Sequence, residues 1–246
     1  GSTRSFLPRR VPIVNRFKFV EVARIHRRER SNRWLLGMDS RTSVSVQTHW
    51  DNAYSSKGVN DRSWSESGES DSLDEFYSAD LSIEDGIIDV GGGASTFVKS
   101  LVQRGYNNVT VLDVSQTAID EAKLMLGDIR ESVKWIVSDV VQWEPMEIYS
   151  YWNDRAVFHF LVDKEDQQAY VGNVLRSTRS GSHIVIATFS PDGPESCSGL
   201  QVQRWSQEDL AKLFADSCSV LQSGERGHVT PWGSTQSFTW VHLLRD

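Results

Sequence analysis

Cysteine is nearly absent from this chain. Cys197 and Cys218 are the only two in 246 residues, and neither their number nor their spacing suits a disulfide framework or a zinc site. The sequence therefore predicts no metal centre and a reducing, cytoplasmic setting. Long apolar runs are missing as well. Arg and Asp interrupt the more hydrophobic stretches, which excludes a membrane-spanning helix. No internal repeat is visible. What is present, 39% hydrophobic and 24% charged residues, is the balance of a globular protein able to bury one good core.

Acidic residues are few at the start. Up to Arg41, eleven Lys or Arg face three acids, a net +8, which leaves −15 for the rest of a chain whose net charge is −7. The Gly-Ser opening and the Arg-rich, acid-poor run read as a basic leader over 1–41, non-native or targeting in type, with Met38 a candidate natural start. The working domain is expected over 42–246, and its acidity argues against nucleic acid as a partner. Residues 55–82 are rich in Ser, Asp, Glu and Gly, yet Trp64, Leu73, Phe76 and Tyr77 punctuate them. A helix over 71–77 against the domain edge is expected there in place of a free linker.

Beyond residue 85, short apolar runs alternate with longer amphipathic stretches, the pattern of a parallel sheet covered by helices. Strands are expected at 86–90, 109–113, 133–138, 149–156 and 183–189. Helices are expected from Ser95 to Arg104, from Ser115 to Gly127, and from Asp163 to Thr178 with Asp163 as cap. Another follows a capping box at Ser206–Asp209 and runs through Phe214. Strands at 219–222 and 238–244, joined by a Gly- and Pro-containing loop, form a terminal hairpin. With right-handed crossovers, this order winds into an open sheet whose ligand crevice lies at the carboxyl ends of the strands.

Asp89-Val90-Gly91-Gly92-Gly93 falls at the first strand-to-helix turn. Glycine there permits positive φ and close approach of backbone to ligand, and the next helix offers free N–H groups. Twenty-four residues on, Asp113 ends the second strand, where an acid can accept both hydroxyls of a ribose. Without a ligand it reads as a helix-start acid favoured by the macrodipole. Asp139, in Ser138-Asp139-Val140, ends the third strand, where a carboxylate can accept from an adenine amino group beside an apolar wall. Position 96 is threonine, so the G-x-G-x-x-G of dinucleotide enzymes is missing and a pyrophosphate has no close seat.

D-x-G-x-G followed by these acids resembles the class I S-adenosylmethionine-dependent methyltransferases, over residues 47–246. The resemblance implies an α/β fold: a Rossmann-like seven-stranded, mostly parallel sheet with an antiparallel last strand and helices on both faces. It implies S-adenosyl-L-methionine as cofactor, with Asp89, Gly91 and Gly93 around its methionine end, Asp113 and Val114 at the ribose, and Asp139 and Val140 at the adenine. Residues 47–54 (QTHWDNAY), Ser63-Trp64, 152–161 (WNDRAVFHFL) and 230–236 (TPWGSTQ) are similar to a bacterial group of small methyltransferases, mostly of unassigned substrate. The Trp-containing entry segment and Asp154-Arg155-Ala156 also resemble thiopurine S-methyltransferases. This likeness places Trp50, Tyr54 and Trp64 in a lid, 47–80, across the cofactor. As ordinary aromatic packing they need no such role.

Asp154 and Arg155 end the fourth strand, the edge nearest the transferred methyl in that family, and with His159 they are the candidate catalytic residues. The bland readings are a local Asp154–Arg155 ion pair and a packed histidine. Phe158 or Trp152 is a candidate aromatic wall beside the sulfonium. Phe158, His228 and Trp232, the last two in the loop of the terminal hairpin, are candidates for the acceptor pocket. Cys197 reads as a loop cysteine. The expected function is methyl transfer to a small molecule, a thiol foremost and protein lysine second. A nucleotide-binding module without turnover and a nicotinamide-dependent oxidoreductase are the rivals.

Overall fold

Runs such as Ile87–Val90 and Val109–Asp113 are buried at every position, which only a sheet covered on both faces allows. The computed structural model describes residues 43–58, 61–66 and 68–246; the basic leader expected over 1–41 lies outside the described residues. Helices α1 (Ser43–Ser56) and α2 (Leu73–Ser78) precede an alternating series. That series is β1 (Ile87–Val90), α3 (Thr96–Gln103), β2 (Val109–Asp113), α4 (Gln116–Leu126), β3 (Val133–Val137), β4 (Tyr151–Arg155), α5 (Lys164–Ser177) and β5 (His183–Phe189). There follow a small ribbon, β6 (Ser196–Cys197) with β7 (Leu200–Gln201), then α6 (Gln207–Lys212) and the hairpin β8 (Cys218–Val229) and β9 (Thr235–Arg245).

The seven-stranded sheet has the order β3-β2-β1-β4-β5-β9-β8. β1 to β5 are mutually parallel, and β9 runs antiparallel to both of its neighbours, so β8 points the same way as the first five. This is the Rossmann-like sheet with an antiparallel last strand expected from the sequence. The chain works outward from β1 to β3 and then returns to β4, and that reversal opens a crevice at the carboxyl ends. One face of the sheet (Ile88, Val90, Leu112, Trp152, Ile184, Ile186) packs on Tyr170 and Val174 of α5 and Leu210 of α6. The other (Ile87, Val109, Val111, Tyr151, Val185) packs on Phe97 and Leu101 of α3 and Phe76 of α2.

Local signals set the helix starts. Ser95, Ser115 and Ser206 accept from the N–H groups of Phe97, Ala118 and Asp209, each satisfying one unpaired donor of a first turn. Asp163 stands at the start of α5 but makes no side-chain cap bond, unlike the role expected of it. Two elements depart further from expectation. Helix α1 has no apolar stripe to announce it. The terminal hairpin is much longer than expected, its strands pairing from Cys218–Arg245 to Val229–Thr235, because β8 is an edge strand with most side chains in solvent and shows no apolar alternation. Among the described residues no helix is long and apolar enough to cross a membrane.

Candidate active site

The turn after β1 is built for glycine. Gly91 has φ +68°, and a Cβ there would lie 2.0 Å from Val157 Cγ2. A Cβ on Gly93 would lie 2.6 Å from Ala118 Cβ and 2.9 Å from Asp113 Oδ2. Asp113, the last residue of β2, ties this turn to the next: its Oδ2 accepts from Gly93 N at 3.0 Å and its Oδ1 from Ser115 N at 2.8 Å. Burial pushes its carboxyl up to about 6, with these two N–H donors opposing. Asp139 follows β3, accepts from Val141 N at 3.1 Å, and is flanked by buried Val140; Val114 is half-buried.

Asp89 lies opposite Asn153 in the β1–β4 register, and the Asn153 amide donates to Asp89 Oδ1 at 2.7 Å. Asp89 Oδ2 and Asn153 Oδ1 are both buried without a hydrogen-bond partner. Burial pushes the Asp89 carboxyl up to about 7, only partly offset by the Asn153 amide and the nearby Ser95 hydroxyl. Two orphaned acceptor oxygens under a glycine turn call for a donor or cation, since leaving them unmet costs about 1–3 kcal/mol each. Acids at the next two strand ends add acceptors for a diol and an amine. The residues present therefore fit S-adenosylmethionine. Asn153 was not singled out from sequence, because only the strand register reveals it as the partner of Asp89.

The residues expected to form a lid pack beside this turn. Asp51 of α1 accepts from Ser115 Oγ at 2.7 Å and Thr117 N at 3.0 Å, holding α1 on the start of α4. Trp50 contacts Trp64 and Phe160 edge-on at 5.7 and 5.0 Å between centroids, and Tyr54 contacts Trp64 at 5.8 Å. The Tyr54 hydroxyl lies 3.3 Å from where a Gly93 Cβ would stand. Burial, then the Asp113 charge, pushes that phenol well above its usual range, so it stays protonated. Arg62 ends this segment in a two-pronged pair with Glu121 of α4, at 2.7 and 2.8 Å.

Strand β4 divides the expected catalytic residues between two faces. Trp152 and Asp154 point to the α5 side, where both are fully buried. Asp154 accepts from Tyr170 Oη at 2.5 Å and from the N–H groups of Val157 and Phe158, and Tyr170 in turn accepts from Trp152 Nε1 at 3.0 Å. Burial pushes Asp154 up to about 7 against these bonds. The expectation that Asp154 meets an acceptor is not what this geometry supports: its oxygens brace the 155–158 turn from beneath. Trp152 and Phe158 are likewise core residues with no exposure, so neither forms a wall of the crevice. Asp154→Ala should then cost about 2–4 kcal/mol of stability by stranding Tyr170 and two N–H groups. Urea denaturation measures this, and wild-type stability combined with lost turnover would return Asp154 to the acceptor site.

His159 is also fully buried, between Phe160 and Phe189. Its Nδ1 accepts from Phe189 N, so the ring proton resides on Nε2, and burial pushes the imidazole down to about 3. A neutral ring in that tautomer is a poor base. Arg155 and His228 face the other side and meet each other at 3.0 Å. His228 stands within β8, not in the hairpin loop as expected, while Trp232 is exposed in that loop. Cys197 belongs to a ribbon whose turn, Ser198-Gly199, has positive φ at both residues; burial raises its thiol, consistent with an unreactive packing role.

Residues 88–186 match the family model of the methyltransferase domain. Nodulation protein S of Rhizobium tropici is 29% identical over 118 residues, 48% of this chain and 45% of that protein. Malonyl-[acyl-carrier protein] O-methyltransferase 2 of Ilyobacter polytropus is 25% identical over 150 residues, 56% of each. The chain thus spans about half the length of these curated relatives. Among solved structures, the N-methyltransferase NodS of Bradyrhizobium japonicum, in complex with S-adenosyl-L-homocysteine, is similar in fold. Its TM-score is 0.58 at 13% identity, over 79% of this chain and 97% of that one. Sheet order, glycine turn and strand-end acids accompany the family match, and residues 88–186 are similar to a methyltransferase domain.

Proposed function

We propose that the protein transfers the methyl group of S-adenosylmethionine to a small-molecule acceptor, and that the acceptor is a thiol. The observation that carries the cofactor half is the unpartnered, buried Asp89 Oδ2 beneath the glycine turn, with Asp113 and Asp139 at the two following strand ends. On this reading Asp89, Gly91 and Gly93 hold the methionine end, Asp113 and Val114 the ribose, Asp139 and Val140 the adenine. Trp50, Tyr54 and Trp64, in a lid over 47–80, exclude water. The working domain is 42–246.

When bound, S-adenosylmethionine supplies an electrophilic methyl and a leaving group that needs no protonation. The chain's own task is alignment and desolvation, with a base needed only for an acceptor that arrives protonated. Neither base offered by the sequence serves that need: Asp154 is spent on Tyr170 and the 157–158 amides, and His159 is buried and neutral. A thiol, already partly ionised near neutral pH, fits such a site better than a lysine ammonium. The likeness of the entry segment and of Asp154-Arg155-Ala156 to thiopurine S-methyltransferases supports the same choice. The names of the relatives include both N- and O-methyltransferases, so the fold alone does not select the acceptor atom. Incubation with methyl-labelled cofactor and a panel of aromatic thiols or lysine peptides tests the proposal. Label on sulfur is expected; label on lysine Nζ, or cofactor binding without any transfer, would sink it.

The raised carboxyls make a pH dependence. Without cofactor, Asp89 and Asp113 titrate at about 7 and about 6. The native state thus keeps protons that the unfolded chain loses near pH 4, so these two groups favour folding at acid pH and less as pH rises through 6–7. A cation beside Asp89 favours its ionised form. Affinity for S-adenosylmethionine should therefore rise by about tenfold between pH 5.5 and 8, a unit of pKa being a factor of ten, with proton release on binding. Calorimetry in buffers of different ionisation heat reads both. An affinity independent of pH would remove Asp89 from the cofactor site.

A further inference from the structure

The segment Ser63–Glu66 is tied down by residues from two strands, β4 and β8. Arg155 Nη1 donates to Trp64 O at 3.2 Å, Arg155 Nε lies 3.4 Å from Glu66 Oε1, and the guanidinium sits 5.5 Å from the Phe238 ring centre. His228 Nε2 lies 2.7 Å from Ser63 O, and His228 Nδ1 lies 3.0 Å from Arg155 Nη2. A carbonyl can only accept, so Nε2 carries the imidazole proton and Nδ1 accepts from Arg155; one tautomer satisfies both contacts. Glu66 continues the link, its Oε2 accepting from Thr96 Oγ1 at 3.0 Å on the first residue of α3. Trp64 lies in between, touching Trp50 and Tyr54 on the glycine-turn side and packing against the Phe189, Cys197 and Phe238 cluster on the other.

We propose that Arg155 and His228 are positioning residues: a two-residue latch that holds the strap Ser63–Glu66, and Trp64 with it, across the crevice as a wall between cofactor and acceptor. This rests on the methyltransfer reading and assigns both residues a job other than acceptor contact. The latch is reciprocal, because a half-buried guanidinium gains from pairing and the strap supplies both a carbonyl and a carboxylate. Removing His228 strands Ser63 O and one arm of Arg155. Replacing it by glutamine offers an amide N–H to Ser63 O and an amide oxygen to Arg155.

Hydrogen exchange of residues 61–66 in the full chain, without and with S-adenosylhomocysteine, tests the latch. His228→Ala should speed exchange of that segment and the dissociation of S-adenosylhomocysteine, each by about tenfold, the loss of one charge-assisted bond. His228→Gln should return both to within about threefold of wild type, which loss of packing alone would not achieve. Wild-type exchange in His228→Ala, or no rescue by glutamine, overturns the proposal. Should His228→Ala fail to fold, Glu66→Gln, which keeps an acceptor for Thr96 and loses the charge facing Arg155, takes its place, and unchanged exchange there overturns it equally. If S-adenosylhomocysteine binds no variant, wild type included, the methyltransfer reading falls and the proposal built on it falls too, whereas failure of the latch alone shows as normal ligand binding with unaltered strap exchange.

Discussion

Gly91→Ala is expected to abolish measurable cofactor binding and to lower the melting temperature by about 5–15 °C. Two costs coincide at this position. A residue with a Cβ pays about 1–2 kcal/mol for a left-handed conformation, here φ +68°. The added methyl would also stand 2.0 Å from Val157 Cγ2, a separation that forces movement of the 155–158 turn at about 1–3 kcal/mol. That turn is braced by Asp154, so it has little room to give. Gly181→Ala is the control. Its φ is +84° but nothing lies within 4 Å of the added carbon, so only the backbone part should be felt and binding should be untouched. Normal affinity in Gly91→Ala would show that the ligand does not approach this backbone.

Asp113→Ala should weaken cofactor binding by about 30- to 100-fold, two charge-assisted bonds lost. The carboxylate also has a structural role that sequence did not reveal, beside the one proposed for it: it accepts from Gly93 N and Ser115 N and so fastens the glycine turn to the start of α4. Stability should therefore fall as well, by about 2–3 kcal/mol for two stranded donors. Asp113→Asn separates the effects. Its single oxygen can accept from only one of the two N–H groups while its amide faces the other, so an intermediate loss is expected in both measurements. Isothermal calorimetry with S-adenosylhomocysteine and thermal melting read the two. Wild-type affinity in the alanine variant would end the assignment of the ribose site.

Five parallel strands, the helices between them and the acids at their ends were legible because each rests on a short-range rule. Val109–Asp113 and His183–Phe189 are β-branched runs bounded by turns, and the structure places them at the same residues. Ser95, Ser115 and Ser206 cap helices by bonds two or three residues long. The glycine turn needed only its spacing from Asp113 and Asp139. Residues joined by such rules carry their answer within about one turn of chain.

The candidate catalytic set was less legible, and β4 shows why. Asp154 and Arg155 are neighbours in sequence, so they must point to opposite faces of the sheet, and nothing local says which face meets the crevice. Only packing against Tyr170 and Trp152 on one side, and against Trp64 and Phe238 on the other, decides it. His228 was read into a loop because an edge strand can be polar on both faces.

By itself, then, the sequence determined a mostly parallel α/β sheet with an acid at three successive strand ends and a glycine turn before them, since period, capping and turn chemistry are local. Tertiary structure alone decided that Asn153 faces Asp89, that His159 and Asp154 are spent in the core, and that Arg155 and His228 meet over the strap. The Asp89–Asn153, Arg155–His228 and His228–Ser63 pairings join residues 64 to 165 positions apart in the chain, and only the tertiary fold brings them within reach of one another.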